Sequence, residues 1–143
     1  MWAALLAARL LRLGNSGFGG DMAEGPEAVL ALYGERINNH RFDDLVELIS
    51  DEATFWFLEG SYSEEAIRRA FERTWGQVAE EHYWLEDTRW IAMSESAASC
   101  IYRFRWRGMV GGEMHEGSGR GTSVLRKEAG GWKIVHEHLS PER

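Results

Sequence analysis

Gly117, Gly119 and Gly121 recur at every second residue inside a stretch that otherwise reads as one long β-strand. Side chains alternate between the two faces of a strand, so these glycines share one face and leave it bare. Glycine inside a strand marks a bulge, a bend or the close approach of other groups. A strongly bent sheet wrapped around an interior needs such a device. Four strands are expected around this point, at about residues 83–93, 97–107, 113–127 and 132–139. The breaks between them are Ser94-Glu95-Ser96, Val110-Gly111-Gly112 and Gly130-Gly131. Successive strands joined by short turns form an antiparallel meander.

The chain ahead of these strands has helical periodicity. Gly25-Pro26 opens a first helix, with proline where its missing N–H costs nothing. Val29, Leu30, Tyr33 and Ile37 follow the period, and Asn38-Asn39 stops it. Phe42, Leu45, Val46 and Ile49 predict a second, shorter helix, with Asp43 and Asp44 in its first turn, where the dipole favours anions. Thr54-Phe55-Trp56-Phe57-Leu58 reads as a short strand ended by Gly60. Ser63 is placed as the cap of a third helix, whose apolar stripe is Ile67, Ala70, Phe71, Trp75 and Val78. The expected fold class is α+β: a curved antiparallel sheet wrapped around about three helices, a cone-shaped barrel with an apolar pocket.

The last hairpin, residues 120–140, carries the candidate chemistry. Trp132, Ile134, His136 and His138 share one side of the final strand, because side chains alternate with period two, and a side that begins with an indole and an isoleucine should face inward. Histidine is the side chain most easily recruited as acid, base or ligand near neutral pH. The pair is therefore the candidate catalytic group, and a core pair that only hydrogen-bonds is the alternative. A metal site would need a third ligand. His115 and Glu116 are the nearest choices, but His-x-His alone is weak, so no metal is expected.

Gly131-Trp132-Lys133-Ile134-Val135-His136-Glu137-His138-Leu139-Ser140, preceded by Gly121-Thr122-Ser123-Val124-Leu125-Arg126-Lys127-Glu128, resembles the last hairpin of SnoaL-like proteins. These belong to the superfamily of nuclear transport factor 2 and ketosteroid isomerase. The same stretch is similar to the end of the association domain of calcium/calmodulin-dependent protein kinases, and the likeness extends over residues 26–141. The resemblance implies a cone-shaped fold with a cavity, and it implies that Arg103 lies in that cavity as an anion anchor. A buried arginine needs a carboxylate, its own or a ligand's; Glu86, Asp87, Glu116 and Glu137 are the internal choices. Ketosteroid isomerases carry their carboxylate base on the strand before the third helix. Trp56 and Phe57 stand there, and an indole cannot take a proton at neutral pH, which argues against that isomerisation. Tyr33, Asp43, Trp56 and Trp75 remain candidates for the walls or mouth of a ligand cavity.

Composition narrows the rest. A chain of 143 residues suits one domain, and seven tryptophans suggest an aromatic-lined cavity or an apolar interface as well as a core. The net charge of −7 argues against nucleic acid. Cys100 is the only cysteine, so no intrachain disulfide forms. No apolar run approaches the roughly 20 residues of a membrane span. Residues 1–21 read as an N-terminal extension ahead of a SnoaL-like domain at 22–143. Leu5, Leu6, Arg9, Leu10 and Leu13 fit a short amphipathic helix. An upstream extension, a targeting or membrane-surface segment, and a docked helix are the open readings. Because Arg9 and Arg12 come after the apolar run, a secretory signal fits poorly and a cytoplasmic location is expected.

Two functions remain open. One is a small-molecule-binding protein or cofactor-free enzyme, acting on a largely apolar ligand with an anionic or carbonyl group. The other is a dimerisation or association module without catalytic activity. With either, a homodimer formed through the open face of the sheet is expected, with Tyr102, Trp106, Val135 and Leu139 as candidates for either face.

Overall fold

The computed structural model describes residues 24–142. Helix α1 (Gly25–Arg36) buries Pro26, Val29, Leu30 and Tyr33, the stripe its spacing predicts. The chain then runs through three 3-10 turns, Ile37–Asn39, Phe42–Asp44 and Val46–Leu48. The expected second helix is thus a pair of these turns. Leu45 and Leu48 are buried and Phe42 packs on the core, a spacing of three that suits the 3-10 turn, while Val46 is exposed and Ile49 already begins a strand.

Strand β1 (Ile49–Phe57) and the short β2 (Gly60–Ser63) form a hairpin ahead of helix α2 (Glu65–Gln77). Ser63 therefore ends a strand. The helix cap is Glu64, which makes no capping side-chain bond. Ile67, Ala70 and Phe71 are the buried stripe of α2. Fully burying a phenylalanine contributes about 1.5–3 kcal/mol, so Phe71, edge-on to Phe55 and Phe57, is one of the contacts that fix α2 to the sheet.

The meander follows as β3 (Ala79–Met93), β4 (Ala97–Val110), β5 (Glu113–Glu128) and β6 (Gly131–Pro141). The six strands make one open sheet in the order β2-β1-β6-β5-β4-β3. Its β3–β6 part is antiparallel as expected, but β1 lies parallel to β6, so the sheet is mixed.

The glycines of β5 explain the curvature. Gly117, Gly119 and Gly121 lie opposite Trp106, Phe104 and Tyr102 on β4. A Cβ at these positions would stand 2.3 Å from the Trp106 ring, 2.3 Å from Phe104 and 2.1 Å from Tyr102. The three rings lie across the bare strand, a packing that only glycine permits. Cys100, Tyr102 and Phe104 of β4 are buried on this inner face, whereas Arg103 and Arg107 point out.

Candidate functional site

Strand β6 does not keep its alternation. Ile134 pairs with Leu125, but His136 pairs with Val124, so two steps on β6 match one on β5. Val135 is the extra residue of a β-bulge, and a one-residue slip sends every later side chain to the other face. Ile134 is inside; beyond the bulge, Glu137 and Leu139 are inside and His138 is exposed. The expectation of an inward histidine pair is corrected on this ground.

Outside, the two imidazoles bracket Trp56. Its ring meets His136 edge-on at 4.9 Å between centroids and His138 at 5.7 Å, and Trp56 is 48% exposed. The placement of Trp56 in a cavity wall is corrected with them. Thr54 Oγ1 and His136 Nδ1 share a hydrogen bond of 2.7 Å. Partial burial holds the His136 pKa below the ordinary imidazole value.

Arg103 also lies outside. Its Nη2 is 2.7 Å from Glu142 Oε2 and its Nε donates to the same oxygen at 2.9 Å. The cavity placement implied by resemblance is thereby corrected, and its partner is a carboxylate not among those foreseen. Asp43 is exposed and paired with Arg68 Nη2 at 2.7 Å. With Arg36, Asn39, Asp44, Val46 and Glu47 it lines an open surface hollow of about 540 Å³, away from the interior.

Tyr33 is where a cavity residue should be. Its hydroxyl donates to Glu137 Oε2 at 3.2 Å, and the Tyr102 hydroxyl donates to Glu137 Oε1 at 3.3 Å. Ser123 Oγ is 2.9 Å from the Tyr102 oxygen and completes the chain of hydroxyls. Glu137 is 1% exposed. Burial pushes its carboxyl up to about 8, although both tyrosine bonds act in the opposite direction. At neutral pH it is therefore a neutral acid, able to donate as well as accept. Tyr33, Tyr83 and Tyr102 are raised well above the usual tyrosine range, chiefly by burial, and stay protonated.

A hollow of about 50 Å³ lies at one end of the interior, lined among others by Phe57, Phe104, Trp106 and Leu139. Leu139 and Phe104 are the inward neighbours of Glu137 and Tyr102 along their strands, so the hydroxyl cluster sits one layer behind this hollow. It has room for a few waters and is well short of the ~300–1,000 Å³ of a drug-sized site.

Sequence reasoning missed a second buried acid. Strand β3 bulges between Ala79 and His82, with Glu80 at a φ of 53°, and Glu81 is 3% exposed. Burial raises its carboxyl to about 9. Trp75, a foreseen wall residue, is half-buried and stacks on His40 at 5.5 Å, and His40 Nε2 donates to the Glu81 carbonyl at 2.8 Å. The acids went unseen because each owes its inward direction to a bulge. The apolar face of β4, with Tyr102 on it, was the available signal. Among the described residues no group of three or more His, Cys, Asp or Glu is placed to hold a metal, and no helix is long and apolar enough to cross a membrane.

Comparison with known proteins agrees with this architecture. The family model described as "SnoaL-like domain" matches residues 27–142. No curated protein matches the chain. Among solved structures, a nuclear transport factor 2-like superfamily protein from Salmonella enterica serovar Typhimurium has a TM-score of 0.73 at 20% identity, covering 80% of this chain and 87% of its own. A Xanthomonas campestris protein, provisionally assigned as a calcium/calmodulin-dependent protein kinase II association domain, has a TM-score of 0.72 at 15% identity, covering 84% and 90%. LinA has a TM-score of 0.73 at 14% identity, covering 82% and 86%. At these identities the structures establish the fold alone. The family match spans most of the chain, and the chain belongs to the SnoaL-like domain family.

Proposed function

We propose that the chain binds a small, largely apolar molecule through a carbonyl group, in the interior of the cone, with Glu137, Tyr33 and Tyr102 as its polar anchor. The observation that carries this reading is the fully buried Glu137 carboxyl, held between two tyrosine hydroxyls one layer behind a hollow lined in part by Phe57, Phe104 and Trp106. Site pockets combine apolar walls with a few convergent polar groups. A neutral carboxylic acid beside a tyrosine donates hydrogen bonds to a carbonyl oxygen and stabilises the charge that develops there if an adjacent proton leaves. A carbonyl suits the cluster better than an anion, because no arginine or lysine bonds Glu137 and a second negative charge would go uncompensated. The hollow must enlarge on binding, and Leu139 and Phe104 stand between it and Glu137.

A screen of aromatic ketones and lactones by thermal shift tests this. Ligands that stabilise the protein should lose most of their effect in Glu137→Leu and keep it in His138→Ala. Loss in His138→Ala with retention in Glu137→Leu would move the site to the outer face.

The second reading concerns assembly. Trp56, His136 and His138 form a largely exposed aromatic group on the outer sheet face, across β1 and β6, and indole exposed in that way marks an interaction surface. We assign this group to a homodimer interface in place of the catalytic roles expected from the sequence; Arg103, two strands away on the same outer face, is paired with Glu142. Binding inside and pairing outside use opposite faces of one sheet and are compatible.

A further inference from the structure

Both carboxyl oxygens of Glu81 are buried without a hydrogen-bond partner, and so is the indole N–H of Trp75. Leaving such groups unsatisfied is costly, and native proteins keep few of them. Both residues meet His40: its ring stacks on Trp75, interplanar angle 15°, and its Nε2 bonds the Glu81 backbone carbonyl. The local backbone is built to hold Glu81 inward. Glu80 takes a left-handed conformation to make the bulge, and a Cβ on Gly108 across the strand would stand 2.4 Å from Val78 and 3.2 Å from the Glu81 Cα.

We propose that Glu81 and Trp75 form a second binding site, which recognises the edge of a planar heterocycle carrying adjacent C=O and N–H groups, as in a lactam or pyridone. The chemistry follows from what is unsatisfied. A neutral carboxyl offers one donor and one acceptor, and a cyclic amide offers the complementary pair, so both Glu81 oxygens are used at once. The carbonyl of the same ligand has a second lone pair for the Trp75 N–H. The neutral form is the one burial favours, since it raises Glu81 to about 9. Trp75 and His40 are only half-buried, and the flat faces of their stacked rings suit a planar ligand. The site does not depend on a ligand at Glu137.

The probe is isoquinolin-1(2H)-one, with its N-methyl derivative and benzylammonium as controls, each measured by calorimetry and thermal shift on the whole chain. Isoquinolinone should bind, and its N-methyl derivative should bind at least about tenfold more weakly, since it loses a hydrogen bond and leaves Glu81 unpaired. Glu81→Met should lose binding. Glu81→Gln, which keeps a donor and an acceptor, should retain it, and this rescue separates recognition from a structural role. Trp75→Phe should weaken it. The proposal is overturned if neither heterocycle binds, if N-methylation changes nothing, or if Glu81→Met binds as well as the parent. It is equally overturned if benzylammonium binds and Glu81→Gln abolishes that binding, because Glu81 is then a carboxylate that takes cations. Loss of ketone binding in Glu137→Leu leaves all of these outcomes unaffected.

Discussion

Replacing Glu137 by glutamine should change how stability depends on pH more than it changes stability itself. The folded carboxyl titrates at about 8 and an ordinary glutamate at 4.5. Between these values the folded state holds a proton that the unfolded state has released. Unfolding then releases a proton, and stability falls as pH rises, by about 1.4 kcal/mol per unit for one group. The contribution is complete below the unfolded pKa and is lost as pH passes the folded one. Glutamine is neutral throughout and has no such slope. From about pH 5.5 to about pH 7.5 the advantage of the parent over Glu137→Gln should shrink by about 2.5 kcal/mol, a little less than two full units of slope because the folded carboxyl begins to titrate. Glu81 has the same sign but is present in both proteins, so it cancels in the difference. Urea unfolding followed by circular dichroism at the two pH values gives the quantity directly. A difference that does not move with pH, or that grows as pH rises, would refute the claim that Glu137 is neutral in the fold.

Three further outcomes follow from the same geometry. Tyr33→Phe and Tyr102→Phe should each destabilise by about 1–3 kcal/mol, the cost of leaving a buried acceptor without its donor, as read by urea midpoints. Gly121→Ala should also cost about 1–3 kcal/mol, because the new methyl would stand 2.1 Å from the Tyr102 ring and 2.7 Å from Leu139, and the melting temperature should fall accordingly. Sedimentation at micromolar concentration should show a dimer of the 16.3 kDa chain, and Trp56→Asp should shift it toward monomer; a monomeric parent removes the interface.

Much of the fold is visible in the alternation itself. Cys100, Tyr102 and Phe104 fall on the inner face where their spacing puts them, and the alternate glycines of β5 mark the close approach of the β4 rings. The same alternation already set Arg103 on the face opposite Tyr102, so the cavity role borrowed from kinase association domains conflicted with the pattern. What alternation cannot show is where it breaks. The bulge at Val135 exchanges His136 and His138 for Glu137, and the bulges at Glu80 and Asp87 put these two non-glycine residues at positive φ. Long-range pairing with β1, β5 and β4 fixes these breaks, and no local composition marks them. The polar stretch Ser50-Asp51-Glu52 hid the start of β1 for a similar reason: it lies between the pairings of Ile49 with Ile134 and Thr54 with His136, where the register shifts.

The central claim is that the sheet turns Glu137 inward as a neutral acid and the histidines outward. Carbon-detected NMR of glutamate-labelled protein, with the Glu137 signal assigned by its loss in Glu137→Gln, tests it in one titration. The account predicts that the Glu137 carboxyl remains protonated through neutral pH, titrates near 8, and shifts when a ketone ligand from the screen is added, with the His138 ring signals unmoved. A Glu137 signal that titrates near 4.5 and ignores the ligand, while the His138 ring responds to it, would contradict the account.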